Sequence, residues 1–558
     1  MVQQVFNLLI VMLSNFMKNL YLIILLSVSY FHPSFSQFLT SSTLPIVVIN
    51  TNGATIYDEP KVKTDFKIYY NGQRKINNVN DKPHYDGFAG IEYRGSSSQM
   101  FPKKSLGIEL WNEKSESIEA SLLGMPKESD WILFASYNEK SFMHNVLTMR
   151  VAREMGLYAS RTQYVEVIIN NNYQGVYVFM EKIKRSEGRV NIAKLKETDL
   201  TGDDITGGYI FKVDKNTGST LGSWRSKYPN YFATNNYSTY LYESPKTITS
   251  QQRTYLKNYV DNAENTLQSE NYRDKTNGYR KYIDTKSFIQ LFLLNELSKN
   301  VDGYRISTYF YKDKDSKGGE IKAGPPWDYD ITYGNANYCS GDNPFGFAYR
   351  FNYTCPDDFW QVPFWWERML SDSAYVKELG QEYSFQRKYG ALQNDRLAKH
   401  IDTLTNILKE PIIRNFQKWP ILGTFVWPQP TPYAGTWEQE VNELRNFLTQ
   451  RLQWLDNNIQ TNFAITANEP DLAEISVKAF PNPFLERINI NIQSLFAEKA
   501  KIRLTDNLGK IIFEGNETLQ IGNNDFYIEL PENEIVSGVK FLTIESGTKR
   551  ITKKLVHQ

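Results

Sequence analysis

The chain has 558 residues, 41 % of them hydrophobic and 22 % charged, a composition that excludes a disordered chain and indicates globular domains. Because this length exceeds that of one ordinary domain, we expect two or three folded units. The formal net charge of +1 gives no reason to expect nucleic acid or an anionic membrane as a partner, and five histidines and two cysteines without a CxxC pair argue against structural zinc.

The first element is an apolar segment that begins at Met17. Lys18 precedes the apolar run, which ends in small residues up to Ser36. This layout is typical of a secretory signal peptide, with cleavage expected before Gln37. Residues 1–16 are interpreted as an upstream extension, since a start at Met17 already provides a complete signal.

A transmembrane anchor is the alternative for this segment. Asn15, Lys18 and Asn19 divide its apolar residues into two short runs. A membrane span needs about 20 continuous apolar residues. We therefore predict a signal peptide at residues 1–36, and no transmembrane anchor in the mature chain.

Export affects the interpretation of the two cysteines, Cys339 and Cys355. In an oxidising compartment they can form a disulfide, whereas two buried thiols are the alternative. A loop of about 15 residues closed in this way gains roughly 3 kcal/mol in the chain-entropy model. We predict the disulfide.

Residues 37–466 form the main body, an α+β unit with strands in its first part and helices in its second. Alternating apolar residues predict the strands, and apolar residues at three- and four-residue spacing predict the helices. The predicted strands are 44–50, 65–72, 88–95, 163–170, 175–182 and 207–215. The predicted helices are 142–155, 252–268, 286–299, 365–384, 391–418 and 436–459.

A second, smaller unit follows at the C-terminus. The polar stretch TANEPDLAE contains a linker at residues 467–472. Residues 473–558 show short strands at regular spacing, separated by turns such as Asn507-Leu508-Gly509. This spacing predicts an all-β sandwich.

Acidic residues flank a predicted hairpin in the main body. Asp302 precedes a strand at 306–312, and Asp328 follows the returning strand at 320–327. Because a hairpin brings the chain back to its starting end, we expect Asp302 and Asp328 to lie close together, with Asp330 and Asn335 nearby. Such carboxylates suit Mg²⁺, which binds through one or two of them plus substrate phosphates. The alternative is that these aspartates only cap turns.

A loop rich in Gly and Ser, within IEYRGSSSQMFPKKSLGIEL, is a second candidate site. Its backbone amides can form a concavity for anions, and basic side chains can neutralise phosphate oxygens. We take Arg94, Ser97, Lys103 and Lys104 as candidate nucleotide-binding residues. Basic residues beside a β-turn are also common on ordinary surfaces, and the loop is neither a Walker A motif nor a GxGxxG loop.

The predicted helix at 142–155 carries a third candidate, Glu154. It could pair with a nucleotide-binding lysine, as a helix glutamate does in protein kinases, or form a helical ion pair with Arg150 four residues earlier. Glu181 and Lys182 end an apolar strand, and the alternation does not decide whether they face a cleft or solvent.

Together these stretches resemble the CotH-like family of atypical kinases. The matching pieces, in the family's order over about 40–350, are YRGSSSQMFPKKSLGIEL, LLGMPKESDWILFASYNEKSFMHNVLTMRVAREMGL, YQGVYVFMEKIKRSEGRVNI, GGYIFKVDK and NVDGYRISTYFYK…GPPWDYDITYGN. The resemblance implies a divergent kinase-like fold that binds ATP with Mg²⁺ and phosphorylates Ser or Thr on a partner protein.

The resemblance also assigns roles to residues. It implies Asp302 as catalytic base, Asp328 as Mg²⁺ ligand with Asp330 as a second, and Lys104 as the phosphate-contacting lysine, with Lys103 as the alternative. Ordinary kinases have a metal-binding Asn five positions after the base, whereas this chain has Ser307 there.

The C-terminal unit resembles the sorting domain of type IX secretion substrates. The matching residues are VKAFPNPF, LTDNLGKII and the closing GVKFLTIESGTKRITKKLVHQ. The resemblance implies passage through the outer membrane by that machinery, and a location at the cell surface or in the medium. A small ligand-binding β-domain is the alternative.

Two functions therefore compete. The first is an exported kinase acting on a Ser/Thr-rich surface or co-exported protein. The second is an inactive kinase-fold module with a structural or adhesive role, in which aromatic residues such as those of DDFWQVPFWWERM line a polymer- or sugar-binding groove rather than a core. Retention of both Asp302 and Asp328 favours the enzyme.

Overall fold

The computed structural model describes residues 39–216, 221–230, 237–463, 475–494, 498–520, 522–530, 537–546 and 549–557. The predicted signal peptide, residues 1–36, and the predicted linker, 467–472, lie outside this part of the chain. The described residues form a mixed α+β body rich in strands at its start and in helices after it, followed by β-sheets, as predicted. The kinase-like arrangement stays a prediction.

The first body is a closed barrel of seven strands in the order β2-β3-β5-β6-β7-β9-β8. Antiparallel neighbours make up most of it, and a parallel pairing of β2 with β8, Ile46 opposite Glu166, closes it. Buried aliphatic and aromatic side chains fill the interior. The strands of this part are β1 (Ser41–Ser42), β2 (Ile46–Asn50), β3 (Val62–Tyr69), β4 (Asn77–Asn78), β5 (Tyr85–Arg94), β6 (Ser105–Trp111), β7 (Asp130–Phe134), β8 (Thr162–Ile169) and β9 (Asn172–Glu181).

Helix α1 (His144–Glu154) lies between β7 and β8 in the chain and is buried along most of its length. A second, antiparallel sheet follows, in the order β11-β12-β10-β13-β14. Its strands are β10 (Tyr209–Val213), β11 (Ser223–Arg225), β12 (Thr239–Ser244), β13 (Thr308–Lys312) and β14 (Ile321–Ala323). The predicted hairpin is therefore present, but β14 ends before Pro325 and Pro326, because proline has no amide hydrogen to donate to a neighbouring strand.

Helices form most of the remaining main body, and they contact both the second sheet and barrel strand β9. They are α2 (Ser250–Gln268), α3 (Thr285–Ser298), α4 (Phe351–Thr354), α5 (Trp365–Leu370), α6 (Ser373–Lys388), α7 (Asn394–Leu408), α8 (Pro411–Lys418) and α9 (Trp437–Phe463). The predicted helix 391–418 is broken in two, because Pro411 begins a new helix. The predicted helix 365–384 is likewise interrupted at Asp372, whose carboxylate caps α6.

Two further predictions concern this body. Cys339 and Cys355 are joined in a disulfide, as predicted. In the aromatic segment 357–369, Trp365 and Trp366 are each 1 % exposed, so these large rings belong to the core and not to a groove. Phe359, in contrast, is 68 % exposed.

The C-terminal residues form two antiparallel sheets, β15-β16-β19 and β18-β17-β20-β21. Their apolar side chains face a common core, which agrees with the predicted sandwich. The strands are β15 (Ile475–Phe480), β16 (Arg487–Ser494), β17 (Glu498–Asp506), β18 (Ile511–Leu519), β19 (Gly522–Glu529), β20 (Gly538–Ser546) and β21 (Lys549–His557). None of the helices in the described residues has the length and apolarity needed to span a membrane.

Candidate functional site

The carboxyl end of helix α3 and the open end of the β13–β14 hairpin define the candidate site. Lys299, in a left-handed conformation (φ 48°), ends α3 and turns the chain into a loop. In that loop the backbone amide of Asp302 donates to Asn300 Oδ1 at 3.0 Å. After β14, Asp328 also has a left-handed backbone (φ 66°), a conformation for which Asp is one of the tolerated residues.

Three carboxyl groups influence one another at this end of the hairpin. The pKa of Asp328 is raised well above its ordinary value by desolvation, and further by the charges of Asp330 and Asp302. Desolvation also raises the pKa of Asp302 and of Asp330. The charge of Asp302 also contributes to raising the pKa of Asp330, as expected for carboxyl groups that lie near one another, and we call Asp302, Asp328 and Asp330 the acidic cluster.

Asp330 is the most enclosed member of this cluster. It is 7 % exposed, and its Oδ2 accepts a hydrogen bond from Asn138 Nδ2 at 2.6 Å. Asn335 Nδ2 donates to the backbone oxygens of both Asn138 (3.0 Å) and Asp330 (2.9 Å). The segment before α1 therefore fixes the position of Asp330.

Helix α1 contributes two more contacts to the same segment. Asn145 Oδ1 accepts from the amide of Tyr329 at 2.8 Å, and His144 Nδ1 lies 3.4 Å from the Asp330 carbonyl oxygen. Burial lowers the pKa of His144 to about 4, so the ring is neutral at physiological pH. The sequence analysis missed Asn138, His144 and Asn145, because nothing local indicates that they meet a turn almost 200 residues later.

Asp302 is held by one strong partner. Its Oδ1 accepts from Arg305 Nη2 at 2.8 Å, and its side chain remains 23 % exposed. The second oxygen, Oδ2, accepts no hydrogen bond from the residues that the structure describes. Asp302 is therefore oriented by an ion pair and still has an oxygen available to a substrate hydroxyl.

Arg94, from the end of barrel strand β5, lies opposite this cluster. Burial lowers the pKa of Arg94, and Tyr309 and Asp328 oppose that effect, which places its guanidinium near Asp328. The guanidinium also lies 5.5 Å from the ring centre of Trp327. Arg94 is thus the predicted basic residue that the structure brings to the acidic cluster.

A cavity of about 170 Å³ opens beside Arg94. Lys61 and Lys182 also line it, as do the carboxylates of Glu92 and Asp130. Lys182 Nζ is 3.8 Å from Asp130, and burial lowers the pKa of Lys182. The structure thereby answers the question left open at the end of β9: Lys182 faces this cavity, whereas Glu181 is buried against Arg161 at 2.8 Å.

Lys103 and Lys104 are not brought to the acidic cluster. Lys103 is 2 % exposed, and its ammonium donates to the Val176 carbonyl and to Asn415 Oδ1. Burial lowers the pKa of Lys103 well below its usual value. Lys104 Nζ donates to the Gln99 carbonyl within its own loop.

The two remaining candidates also have other surroundings. Ser97 is exposed in a short 3₁₀ turn after β5. Within the described part of the chain Glu154 pairs with neither a lysine nor Arg150: its Oε1 lies 2.9 Å from His400 Nε2, and its Oε2 lies 3.7 Å from Arg396. Glu154 therefore connects α1 to α7, because the last turn of α1 faces that helix.

The acidic cluster suits a divalent cation that is shared with a phosphate-bearing ligand. Among the described residues, no three acidic, His or Cys side chains are grouped so that they could hold a metal ion by themselves. Desolvation and the charge of Asp330, however, both raise the pKa of Asp328. A cation bound by these two carboxylates and by phosphate oxygens would relieve that repulsion, and this is the donor set typical of Mg²⁺.

Comparisons with known proteins identify relatives of both parts of the chain. The family described as CotH kinase protein matches residues 91–455. The inner spore coat protein H of Bacillus subtilis (strain 168) is 24 % identical over 249 residues, which are 44 % of this chain and 58 % of that protein. The match thus spans just over half the length of that relative.

The secretion system C-terminal sorting domain family matches residues 478–558. The chain is therefore exported by type IX secretion to the cell surface or the medium. Dimeric latent PorU from Porphyromonas gingivalis (16 % identity, 17 % of this chain, 10 % of that chain) has a TM-score of 0.14. Pseudomonas fluorescens alkylpurine DNA glycosylase AlkC (10 % identity, 36 % of this chain, 55 % of that chain) has a TM-score of 0.12.

Proposed function

This chain belongs to the CotH kinase protein family, and we propose that it is an exported atypical protein kinase. In this proposal it transfers phosphate from Mg-ATP to Ser or Thr of a surface or co-exported protein. One observation carries the proposal: Asp302, Asp328 and Asp330 form one acidic cluster at the end of a hairpin, with Arg94 of the barrel beside it.

The residues have distinct roles in this proposal. Oδ2 of Asp302 accepts the hydrogen bond of the acceptor hydroxyl and takes its proton as the oxygen attacks phosphorus. Asp328 and Asp330 would hold Mg²⁺, which would supply neutralisation of phosphate charge. Arg94 and Lys182 contact phosphate oxygens from the barrel side. Positioning and charge stabilisation supply most of the catalysis.

The adhesive alternative lacks comparable support. That alternative assumes that aromatic residues of segment 357–369 line a groove. The largest of these residues, Trp365 and Trp366, are buried instead. Like-charged carboxyl groups held close together cost stability, and a purely structural module has no use for them.

The test is phosphate incorporation by the full exported chain. With labelled ATP, Mg²⁺ or Mn²⁺, and dephosphorylated casein as acceptor, we expect label in the wild type and a roughly 10²- to 10⁴-fold slower reaction in Asp302→Asn. Asp328→Asn should be similarly impaired. Asp86→Asn, which alters a carboxylate that pairs with Lys67 on the barrel surface, is the matched control and should retain the wild-type rate.

A second arm separates the basic residues. Arg94→Met should weaken nucleotide binding roughly 10-fold or more, since a charged hydrogen bond to phosphate contributes about 1.5–3 kcal/mol. Lys104→Met should leave that affinity unchanged. No nucleotide binding by the wild type, or undiminished labelling by Asp302→Asn, would remove the basis of the proposal.

A further inference from the structure

Arg305 is the most heavily constrained side chain beside the candidate base. Its side chain is 2 % exposed. Nη2 donates to Asp302 Oδ1 at 2.8 Å, and Nε donates to the Val301 carbonyl at 2.7 Å. The guanidinium is planar, so these two contacts fix its orientation and, through it, that of the Asp302 carboxylate.

The other contacts of Arg305 come from a different part of the chain. Nη1 donates to Asp358 Oδ1 at 3.2 Å and to the Trp360 carbonyl at 3.0 Å. The guanidinium carbon lies 3.8 Å above the ring centre of Phe351. Arg305 therefore rests on the segment 351–360, and movement of that segment would move the partner of Asp302.

Cys355 lies in the middle of this segment. Its amide donates to the Phe351 carbonyl at 2.8 Å, and its carbonyl accepts from Gln361 Nε2 at 2.9 Å. The segment is closed by a pair of bonds between Asn352 and Val362, at 2.7 and 2.9 Å. These contacts make 351–362 a compact loop around Cys355.

Cys339, the other half of the disulfide, belongs to the chain segment of the acidic cluster. Asp328 and Asp330 precede it in the same turn-rich stretch. Tyr338, directly before Cys339, lies near Asp302, whose charge adds to the effect of burial in raising the pKa of Tyr338. The Tyr338 ring is also parallel to Trp427, with centres 6.2 Å apart.

From this arrangement we propose that Arg305 is the positioning residue for Asp302, and that the Cys339–Cys355 disulfide holds Arg305 in place. The cross-link joins the segment that carries Asp328 and Asp330 to the loop on which Arg305 rests. Phosphate transfer then depends on the oxidised form of the protein. This inference rests on the proposed kinase function and adds a regulation to it.

The covalent step couples activity to export. The two cysteine thiols lose two protons and two electrons to a disulfide-bearing protein oxidant, which is reduced to a dithiol, and the S–S bond forms. Such oxidants act outside the cytoplasm, where disulfides persist, whereas cytoplasmic thiols stay reduced. The base would therefore be oriented only after the chain has left the compartment in which it is made.

Reduction of the native protein tests the inference, because the chain has only two cysteines and dithiothreitol has one target. Dithiothreitol transfers two electrons and two protons, which leaves two protein thiols and the cyclic disulfide. We expect kcat for phosphate transfer to fall roughly 10- to 100-fold, as for a misplaced catalytic group, with KM for ATP changed less than about twofold. Reoxidation should restore kcat.

Variants provide the matched comparison. Cys339→Ser/Cys355→Ser should show the low kcat with or without dithiothreitol. Arg305→Met should have a low kcat that reduction lowers little further, whereas Arg305→Lys, which keeps the charge without the planar fork, should recover part of it. Equal kcat in oxidised and reduced wild type would overturn the inference.

Hydrogen exchange gives a readout that needs no activity. The amides of Asp302, Gly303 and Ile306 donate within the loop, to Asn300 Oδ1 and to the carbonyls of Asn300 and Asp302. We expect these amides to exchange faster on reduction. If the oxidised wild type transfers no phosphate but exchange still accelerates, the proposed function fails and the support of Arg305 by the disulfide stands. Unchanged exchange would contradict that support.

Discussion

Two regions, one in helix α3 and one around the hairpin that follows it, differ in how their charged side chains are paired. Glu296, in α3, and Arg451, in α9, form an ion pair of side chains that are both 0 % exposed, with N and O 2.8 Å apart. The acidic cluster has three carboxyls, of Asp302 in the loop after α3 and of Asp328 and Asp330 beyond the hairpin, and Asp302 has one close cationic partner.

The buried pair is fully satisfied. Glu296 also accepts from the Tyr304 hydroxyl and from the amides of Ala348 and Tyr349, at 2.8–2.9 Å. Arg451 Nη1 donates to the carbonyls of Pro344 and Gly346, each at 2.7 Å. Every partner in this network is a group of the protein itself, which is the pattern of a structural site.

The acidic cluster keeps its charge repulsion. Desolvation and the charges of Asp330 and Asp302 all raise the pKa of Asp328. The difference teaches that burial alone does not mark a functional group in this chain: the informative observation is a set of like charges that the fold holds together. Substitutions in the two regions should therefore have opposite effects on stability.

The largest effect is expected for Arg451→Met. It leaves the Glu296 carboxylate buried without its counter-charge and the Pro344 carbonyl without its donor, and should lower the free energy of unfolding by about 3–5 kcal/mol. Urea denaturation followed by tryptophan fluorescence measures this. The double variant Arg451→Met/Glu296→Leu is the control and should lose less than the single one, since no charge is then stranded. A single-variant loss below about 1 kcal/mol would contradict the role of the pair.

An intermediate effect is expected for Glu440 of helix α9, which faces Gln429, Lys140, Glu443 and Glu139. Burial raises the pKa of Glu440 to about 7, from an ordinary value near 4.5. Between these values the folded state binds more protons than the unfolded state, so the stability contribution of Glu440 falls as pH rises from about 4.5 to 7.

Glu440→Gln isolates this effect. It keeps a polar group beside Gln429, whose Nε2 lies 2.8 Å from Glu440 Oε1. The free energy of unfolding of the variant minus that of the wild type should be about 1–2 kcal/mol larger at pH 8 than at pH 5. Urea denaturation at both pH values measures the difference, and a difference that is independent of pH would show that Glu440 titrates normally in the folded protein.

The smallest effect is expected for Asp328→Asn on stability. Asn has the same shape and tolerates the left-handed backbone at this position, so the substitution removes only the charge. The urea midpoint should stay the same or rise, by at most about 1 kcal/mol after solvent screening. The same variant should have lost phosphate transfer. A clear loss of stability would mean that the Asp328 carboxylate supports the fold and would erase the contrast with Glu296.

Much of the architecture followed from local patterns. Alternation predicted strands such as Thr162–Ile169, and helical spacing predicted Ser250–Gln268 and Thr285–Ser298. The disulfide followed from the cysteine count and the export signals. The proximity of Asp302 and Asp328 followed from the hairpin between them, because a β-turn brings its two flanks together whatever the rest of the fold does.

Local patterns were misleading where a side chain meets a distant part of the chain. Lys103 has the sequence surroundings of a phosphate ligand, yet it is enclosed by Tyr177 and Phe142, with ring centres 4.5 and 4.8 Å from Nζ. Glu154 has Arg150 at helical spacing, but the packing of α7 gives it His400 instead.

The sequence by itself therefore determined which segments are strands and helices, that the chain is exported, and that two acidic residues flank one hairpin. Only the tertiary structure decided that the first strands close into a barrel, that Asn138 fixes Asp330, and that Arg305 orients Asp302. The physical reason is range: backbone periodicity and turn geometry act between neighbours in sequence, whereas burial, hydrogen-bond partners and charge compensation depend on residues that only the packed chain brings into contact.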